Sequence, residues 1–379
     1  MTMTRTFQPV GQGLFCTEKF DTAGESKYNV VYDCGSDSLS HDELEAVVFA
    51  SFAQGEVVDA VYISHFDRDH VNGLPILLKR CSVKKVFLPV VTSPAEVAYW
   101  RFKCLVQLES DKKKGFHLAV VDRLLALDSA NVTDVFKYLG AEEPPAVEHV
   151  EAVSQVEQNP LVSAQHILKF DRWVLAPFNF RREERDAIFR EVFAEVLSPL
   201  NVDVDSFIND TAGVVRDLNQ ELADEFLSSI NKGIRAKLGS TNGSSMTLYS
   251  GEEPMVDGAG AFARCLCDNT KYKPGCLYLG DYEAKKRLSY SALKKHYEAL
   301  GVWESIGCVQ LPHHGSRYDW NRGLEVDDRC YAVSFGLGNR NHHPGKEVIL
   351  RLLQHNRTVM FSNETNRYIH KDDIVQKII

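Results

Sequence analysis

The chain has 379 residues, 44% hydrophobic and 25% charged, the composition of an ordinary folded protein. A net charge of −9 excludes a generally basic, nucleic-acid-coating surface, but not a phosphodiester substrate where bound cations supply the positive charge. No stretch approaches a membrane span and MTMTRTFQPV lacks the apolar centre of a signal peptide, so a cytoplasmic protein without a membrane partner is expected.

In chain order, short apolar runs bounded by polar or glycine-bearing turns read as buried strands. They are Tyr28–Tyr32, Val57–Ile63, Val83–Leu88, Trp173–Phe178, Met246–Tyr249, Cys276–Leu279, Cys308–Leu311 and Tyr331–Phe335. Helical spacing marks Pro94–Leu108 and Leu118–Tyr138, within a possible insertion at 94–150. The longest helical stretch, Arg181–Leu238, is interrupted at Pro199 and Asn201 and reads as an insertion at 181–240. All of this fits one large layered domain over 1–379. Nine scattered cysteines suit a reducing compartment, where most are small buried hydrophobes. Cys265, Cys267 and Cys276 lie close enough to hint at a zinc clip, with a spacing that matches no standard finger.

The strand at Val57–Ile63 runs into SHFDRDH, where His65, Asp67, Asp69 and His70 place four metal-binding side chains in six residues. One such residue alone would be an ordinary hydrogen-bonded loop residue. Two carboxylates this close repel unless a cation lies between them. Alternation along the segment can point His65 and Asp67 one way, and a helical turn can swing Asp69 and His70 toward a second point. A carboxylate at 67 makes the site harder, favouring Mn²⁺, Mg²⁺ or Fe²⁺, with Zn²⁺ still open. Other strand ends carry further ligand types: Gly280-Asp281, His313-His314-Gly315-Ser316, Asn339 with His342 and His343, and Asp33, which could hold a ligand histidine in its tautomer.

The order of VGQG, VYDCGS, SHFDRDHVNG, NGSSMTL, YLGD, LPHHGS and SFGLGNRNHHP over residues 10–344 resembles the metallo-β-lactamase superfamily. Within it, the HxDxDH and PHHGS elements look most like the soluble domain of ComEC-type competence proteins. That resemblance implies an α/β fold, a four-layer αββα sandwich with helical insertions, holding two divalent metal ions. His65 and Asp67 would bind one ion, Asp69 and His70 the other, and Asp281 would bridge. His313 and His343 (or its neighbour His342) would be further ligands. Where classical members carry another ligand histidine, this chain has Thr241-Asn242-Gly243, so Asn242 would stand beside the site rather than in it. The function implied is a metal-dependent hydrolase, a phosphodiesterase or nuclease acting on DNA, with a water or hydroxide between the ions as nucleophile. Asp69 would orient that nucleophile, His314 protonate the leaving oxygen, and Ser316 and Asn339 donate to phosphate. Two alternatives share these residues. One is a small-molecule hydrolase of a nucleotide signal, lactone or thioester. The other is a subunit of a multi-protein system such as anti-phage defence, docking through the amphipathic face of Arg181–Leu197.

Overall fold

The structure is a computed structural model that describes residues 2–21, 27–89, 93–110, 145–150, 152–153, 166–180, 182–238, 245–253, 263–264 and 271–373. Two sheets lie face to face. The first is seven-stranded, in the order Tyr368–Asp373, Thr2–Phe7, Phe15–Asp21, Lys27–Cys34, Ala60–Tyr62, Lys85–Pro89, Ala146–Val150. It is antiparallel up to Lys27–Cys34 and parallel beyond it. The second runs Leu168–Phe170, Trp173–Phe180, Thr247–Glu252, Gly275–Tyr278, Ile306–Gln310, Cys330–Ser334, Val359–Ser362, with Ala152–Val153 alongside Trp173–Phe180. It too changes from antiparallel to parallel, at Gly275–Tyr278.

Period-two alternation builds the layers. Val61 and Ile63 face the outer core of the first sheet, with Leu74, Phe189 and Phe193, while Tyr62 between them faces the inter-sheet core, with Phe87, Trp173 and Tyr278. On the far side, Leu277, Val309 and Val333 of the second sheet meet Leu293, Tyr297 and Leu352 of the helices Arg287–Ala299 and Lys346–Gln354. Three cores between four layers give the αββα sandwich that the motif order implies. Both faces of the central strands are covered, which is why they read as unbroken apolar runs.

The stretch Val57–Ile63 splits into Glu56–Val58 and Ala60–Tyr62. Asp59 causes the break: its carboxylate accepts from the Asn29 N–H (2.9 Å) and from Lys84 Nζ (2.7 Å). Val83–Leu88 splits likewise into Cys81–Val83 and Lys85–Pro89. The reading of 94–150 as helical is corrected at its end, where Ala146–Val150 forms the edge strand of the first sheet. Pro94–Ser110 is a helix, and the Leu118–Tyr138 helix lies outside the described residues.

Helices Arg185–Leu197, Val204–Asn209, Thr211–Asp217 and Gln220–Leu238 fill the predicted helical stretch. Between the first two, Pro199 sits in a 3-10 turn and Asn201 takes a left-handed φ of +52°. The apolar face of Arg185–Leu197 does not await a partner. Phe189, Val192, Phe193 and Leu197 are buried inside the molecule, with Phe189 edge-on to Tyr99 of Pro94–Ser110 at 5.3 Å. A buried Arg185–Glu96 ion pair (2.6 Å) ties the same two helices. The face that suggested docking is therefore spent on the fold.

Cys276 packs in the inter-sheet core as a small hydrophobe, with Cys16, Cys308 and Cys330 nearby. Its two companions in the suggested clip, Cys265 and Cys267, lie outside the described residues. Among the described residues no helix is long and apolar enough to cross a membrane.

Candidate metal centre

Parallel strands present their C-terminal ends on one edge, and there both sheets deliver polar loops. From the first sheet come Asp33 and the loop after Ala60–Tyr62, which turns into the short helix Arg68–Val71. From the second come Asp281 after Gly275–Tyr278, His313-His314 after Ile306–Gln310, and the 336–343 loop after Cys330–Ser334. Two glycines set the spacing. Gly280 has a φ of +52°, and a Cβ there would fall 2.6 Å from that of Ser64, so only glycine lets the two sheets' loops meet. A Cβ on Gly13 would fall 2.7 Å from the Asp69 carbonyl, which accepts from the next N–H, that of Leu14, at 3.0 Å. Gln310 ties the second sheet's loops: its Oε1 accepts from the Leu279 and Gly280 N–H groups, each at 2.8 Å.

Four imidazoles have their Nδ1 edge anchored. His70 Nδ1 donates to Asp33 Oδ2 (2.8 Å) and His313 Nδ1 to Asp319 Oδ2 (2.9 Å). His314 Nδ1 bonds the Ser334 carbonyl (3.1 Å), which can only accept, so Nδ1 carries the proton. The Ser64 hydroxyl donates to Asp33 Oδ2 (2.6 Å) and hence accepts from His65 Nδ1 (2.9 Å). With its proton on Nδ1, each ring turns Nε2 toward a carboxylate, and an Nε2 without a second proton presents a lone pair there. His314 Nε2 is 3.1 Å from Asp69 Oδ2, and His70 Nε2 is 3.3 Å from Asp281 Oδ1. His65 and His313 Nε2 each lie 3.6 Å from Asp281 Oδ2. Lone pairs facing carboxylates repel unless positive charge sits between them.

Protons can supply that charge only partly. Burial opposes a charged His313, yet Asp281 and Asp319 lift its pKa to about 9. Burial likewise opposes a charged His70, and Asp281, Asp69 and Asp33 raise it well above the ordinary value. His70 Nε2 remains buried without an aligned hydrogen bond. Divalent cations could supply the rest. One donor atom from each of His65, His70 and Asp281, and one from each of Asp69, His70 and His314, lie within 4.8 Å of one another. Asp33, His313 and His314 also adopt left-handed backbone angles (φ +54°, +50° and +54°), strain of the kind held at functional sites.

The remaining sequence candidates fall into place unevenly. Asp67 Oδ2 is 3.7 Å from His65 Nε2, and its Oδ1 bonds Lys103 from the helix Pro94–Ser110. Burial disfavours charge on Asp67, but Lys103 and His65 hold its carboxyl well below the usual range. His343 lies beside the centre, its ring 5.2 Å from that of His313, but in neither donor group. Burial and the nearby His313 and His314 push its pKa down to about 4. His342 is exposed.

Asn339 departs from the expectation of a phosphate donor. Its amide is consumed within its own loop, donating to the Gly336 and His343 carbonyls and accepting from the His343 N–H. Ser316 is buried, and its oxygen accepts from the Tyr318 N–H at 3.1 Å. Asn242 lies outside the described residues.

Lys103, Ser64, Gln310 and Asp319 were not anticipated. Asp319, six residues after His313, could have been suspected as its carboxylate partner. Lys103 carries no signal, because helix packing alone brings it to a loop 36 positions away.

No family model matches the chain, and no curated protein does. Among solved structures, a long form RNase Z from yeast is similar at 11% identity and a TM-score of 0.27. The likeness covers 88% of this chain and 40% of that one, so this chain spans less than half the length of the yeast protein. A score this low leaves the site to be read from its own geometry.

Proposed function

We propose that the chain is a dinuclear metal-dependent hydrolase that cleaves phosphodiesters, with single-stranded or frayed DNA as its substrate. The observation that carries this reading is the set of four imidazoles, each anchored at Nδ1, whose Nε2 atoms converge on Asp69 and Asp281. His65, Asp67, His313 and Asp281 Oδ2 would hold one ion. Asp69, His70, His314 and Asp281 Oδ1 would hold the other. His314 thereby moves from the proposed acid to a ligand, and His343 from ligand to a neutral neighbour able to meet the substrate. Two such ions supply Lewis acidity, activating water and drawing charge from a phosphoryl group. The motif order, resembling the ComEC-type branch, supports a phosphodiester over other esters, and the carboxylate at 67 supports Mn²⁺ over Zn²⁺.

Lys103 gives a reason for aspartate at 67. A carboxylate can meet an ammonium with one oxygen and leave the other facing His65, whereas an imidazole has a single free nitrogen. Lys103 also sits 4.6 Å over the Trp100 ring, which fixes its charge beside the centre. Lys103→Met keeps the length of the side chain and removes a cation that shares Asp67. Affinity for Mn²⁺, read by calorimetry, is expected to rise about tenfold, roughly 1.4 kcal/mol. Unchanged or weaker binding contradicts that sharing.

The function is tested by chelating the protein, reloading it with Mn²⁺ or Zn²⁺, and assaying single-stranded DNA, duplex DNA, cyclic dinucleotides and lactones. Metal-dependent cleavage of single-stranded DNA is expected. Turnover confined to a lactone or cyclic nucleotide gives the site to a small-molecule hydrolase.

A further inference from the structure

The acidic chain lacks an obvious run of alternating basic and aromatic residues, yet the fold assembles a compact one at the rim of the metal centre. Tyr318 is 62% exposed, unusual for so large a ring, and its environment fixes it in place. Its hydroxyl accepts from Arg317 Nη2 (2.6 Å), and its backbone N–H donates to Ser316 Oγ (3.1 Å). The Arg317 guanidinium lies 4.8 Å from the ring centroid and Lys285 Nζ lies 5.7 Å from it. Lys285 Nζ in turn donates to the Arg317 carbonyl (3.1 Å), joining the two loops that carry the cations. Glu347 pairs with Arg317 Nη1 (2.8 Å) on the solvent side and holds the guanidinium in place.

Both loops belong to the centre already described. Tyr318 precedes Asp319, which anchors His313, and Lys285 follows Asp281 by four residues. A ring 62% exposed, with two cations set over it, matches the chemistry of a nucleobase with its adjoining phosphates. Stacking accepts any base, whereas the cations select for a charged backbone. A duplex hides its base faces, so the fit is to a single strand.

We propose that Tyr318, with Arg317 and Lys285, is a stacking platform that holds an unpaired base of single-stranded nucleic acid beside the reacting phosphodiester. This rests on the phosphodiesterase reading of the metal centre. Tyr318 is a positioning residue, and its removal leaves the metal ligands untouched.

The test is binding rather than turnover, so that it does not depend on catalysis. Fluorescence anisotropy in chelator, at low salt, compares a labelled oligothymidylate with an abasic backbone of equal length and charge. Tyr318→Ala is expected to weaken oligothymidylate binding roughly five- to fiftyfold and leave abasic binding unchanged. Tyr318→Trp is expected to restore it. Equal losses on both ligands, no loss on either, or no binding of oligothymidylate by the unaltered protein would overturn the platform. A failure of the phosphodiesterase reading shows itself separately, as absent cleavage by the metal-loaded protein that still binds the strand.

Discussion

Asp281→Ala is expected to lower metal-dependent turnover more than about a thousandfold, a barrier increase of roughly 4 kcal/mol. The argument is geometric. Asp281 is almost fully buried, and its two oxygens face different imidazoles, Oδ1 toward His70 and Oδ2 toward His65 and His313. Asp281 shares one donor group with His65 and His70, and His70 also belongs to the group of Asp69 and His314. On the proposed ligand assignment, removing Asp281 would deprive both ions of a ligand, and it leaves the imidazoles of His65, His70 and His313 without the negative charge they face. The Gly280 turn and the Gln310 side-chain bonds to the Leu279 and Gly280 N–H groups do not use the Asp281 side chain and persist, so the fold should survive. Circular dichroism and a melt in chelator check the fold, and a stopped assay checks turnover. Retained turnover would remove Asp281 from the centre.

Glu18→Ala is expected to destabilise the protein by about 3–5 kcal/mol, the scale for leaving a buried charge without its partner. Arg5 is fully buried between the sheets, its Nε 2.7 Å from Glu18 Oε1 and 3.0 Å from the Tyr278 hydroxyl. Glu18 also accepts from Tyr278 (2.7 Å) and from Ser250, whose oxygen accepts from Trp173 Nε1 (2.8 Å). The network therefore joins Thr2–Phe7 and Phe15–Asp21 of one sheet to three strands of the other. Burial opposes charge on Arg5, but Glu18 keeps the guanidinium firmly protonated. Urea denaturation reads the loss, and the double change Arg5→Leu with Glu18→Leu should recover much of it. A loss below about 1 kcal/mol would show that the pair is dispensable.

That same pair explains why the first strands went unread. In TMTRTF the core-facing positions are Met3, Arg5 and Phe7, and the charge in the middle disguises the alternation. Phe15–Asp21 hides behind Glu18 in the same way. Where a strand buries mostly apolar side chains and no charge, as at Cys308–Leu311 or Tyr331–Phe335, its position was legible to within two residues.

The centre was legible where it is local. His65, Asp67, Asp69 and His70 stand within one loop, and Asp33, expected to hold a histidine, bonds His70 Nδ1. Gly280 predicted the close approach that brings Asp281 in. Residues whose place depends on packing were not legible, above all Lys103. Pairing inside a loop was equally hidden, so Asn339 read as a substrate contact although its amide staples its own turn.

The count of bound metal ions tests the central claim most directly. Elemental analysis of protein purified without chelator and dialysed against Mn²⁺ should give two ions per chain, with one or none after Asp281→Ala. Full-strength binding by that variant, or an unaltered protein that takes up no divalent ion, would contradict a paired metal centre on this edge of the sandwich.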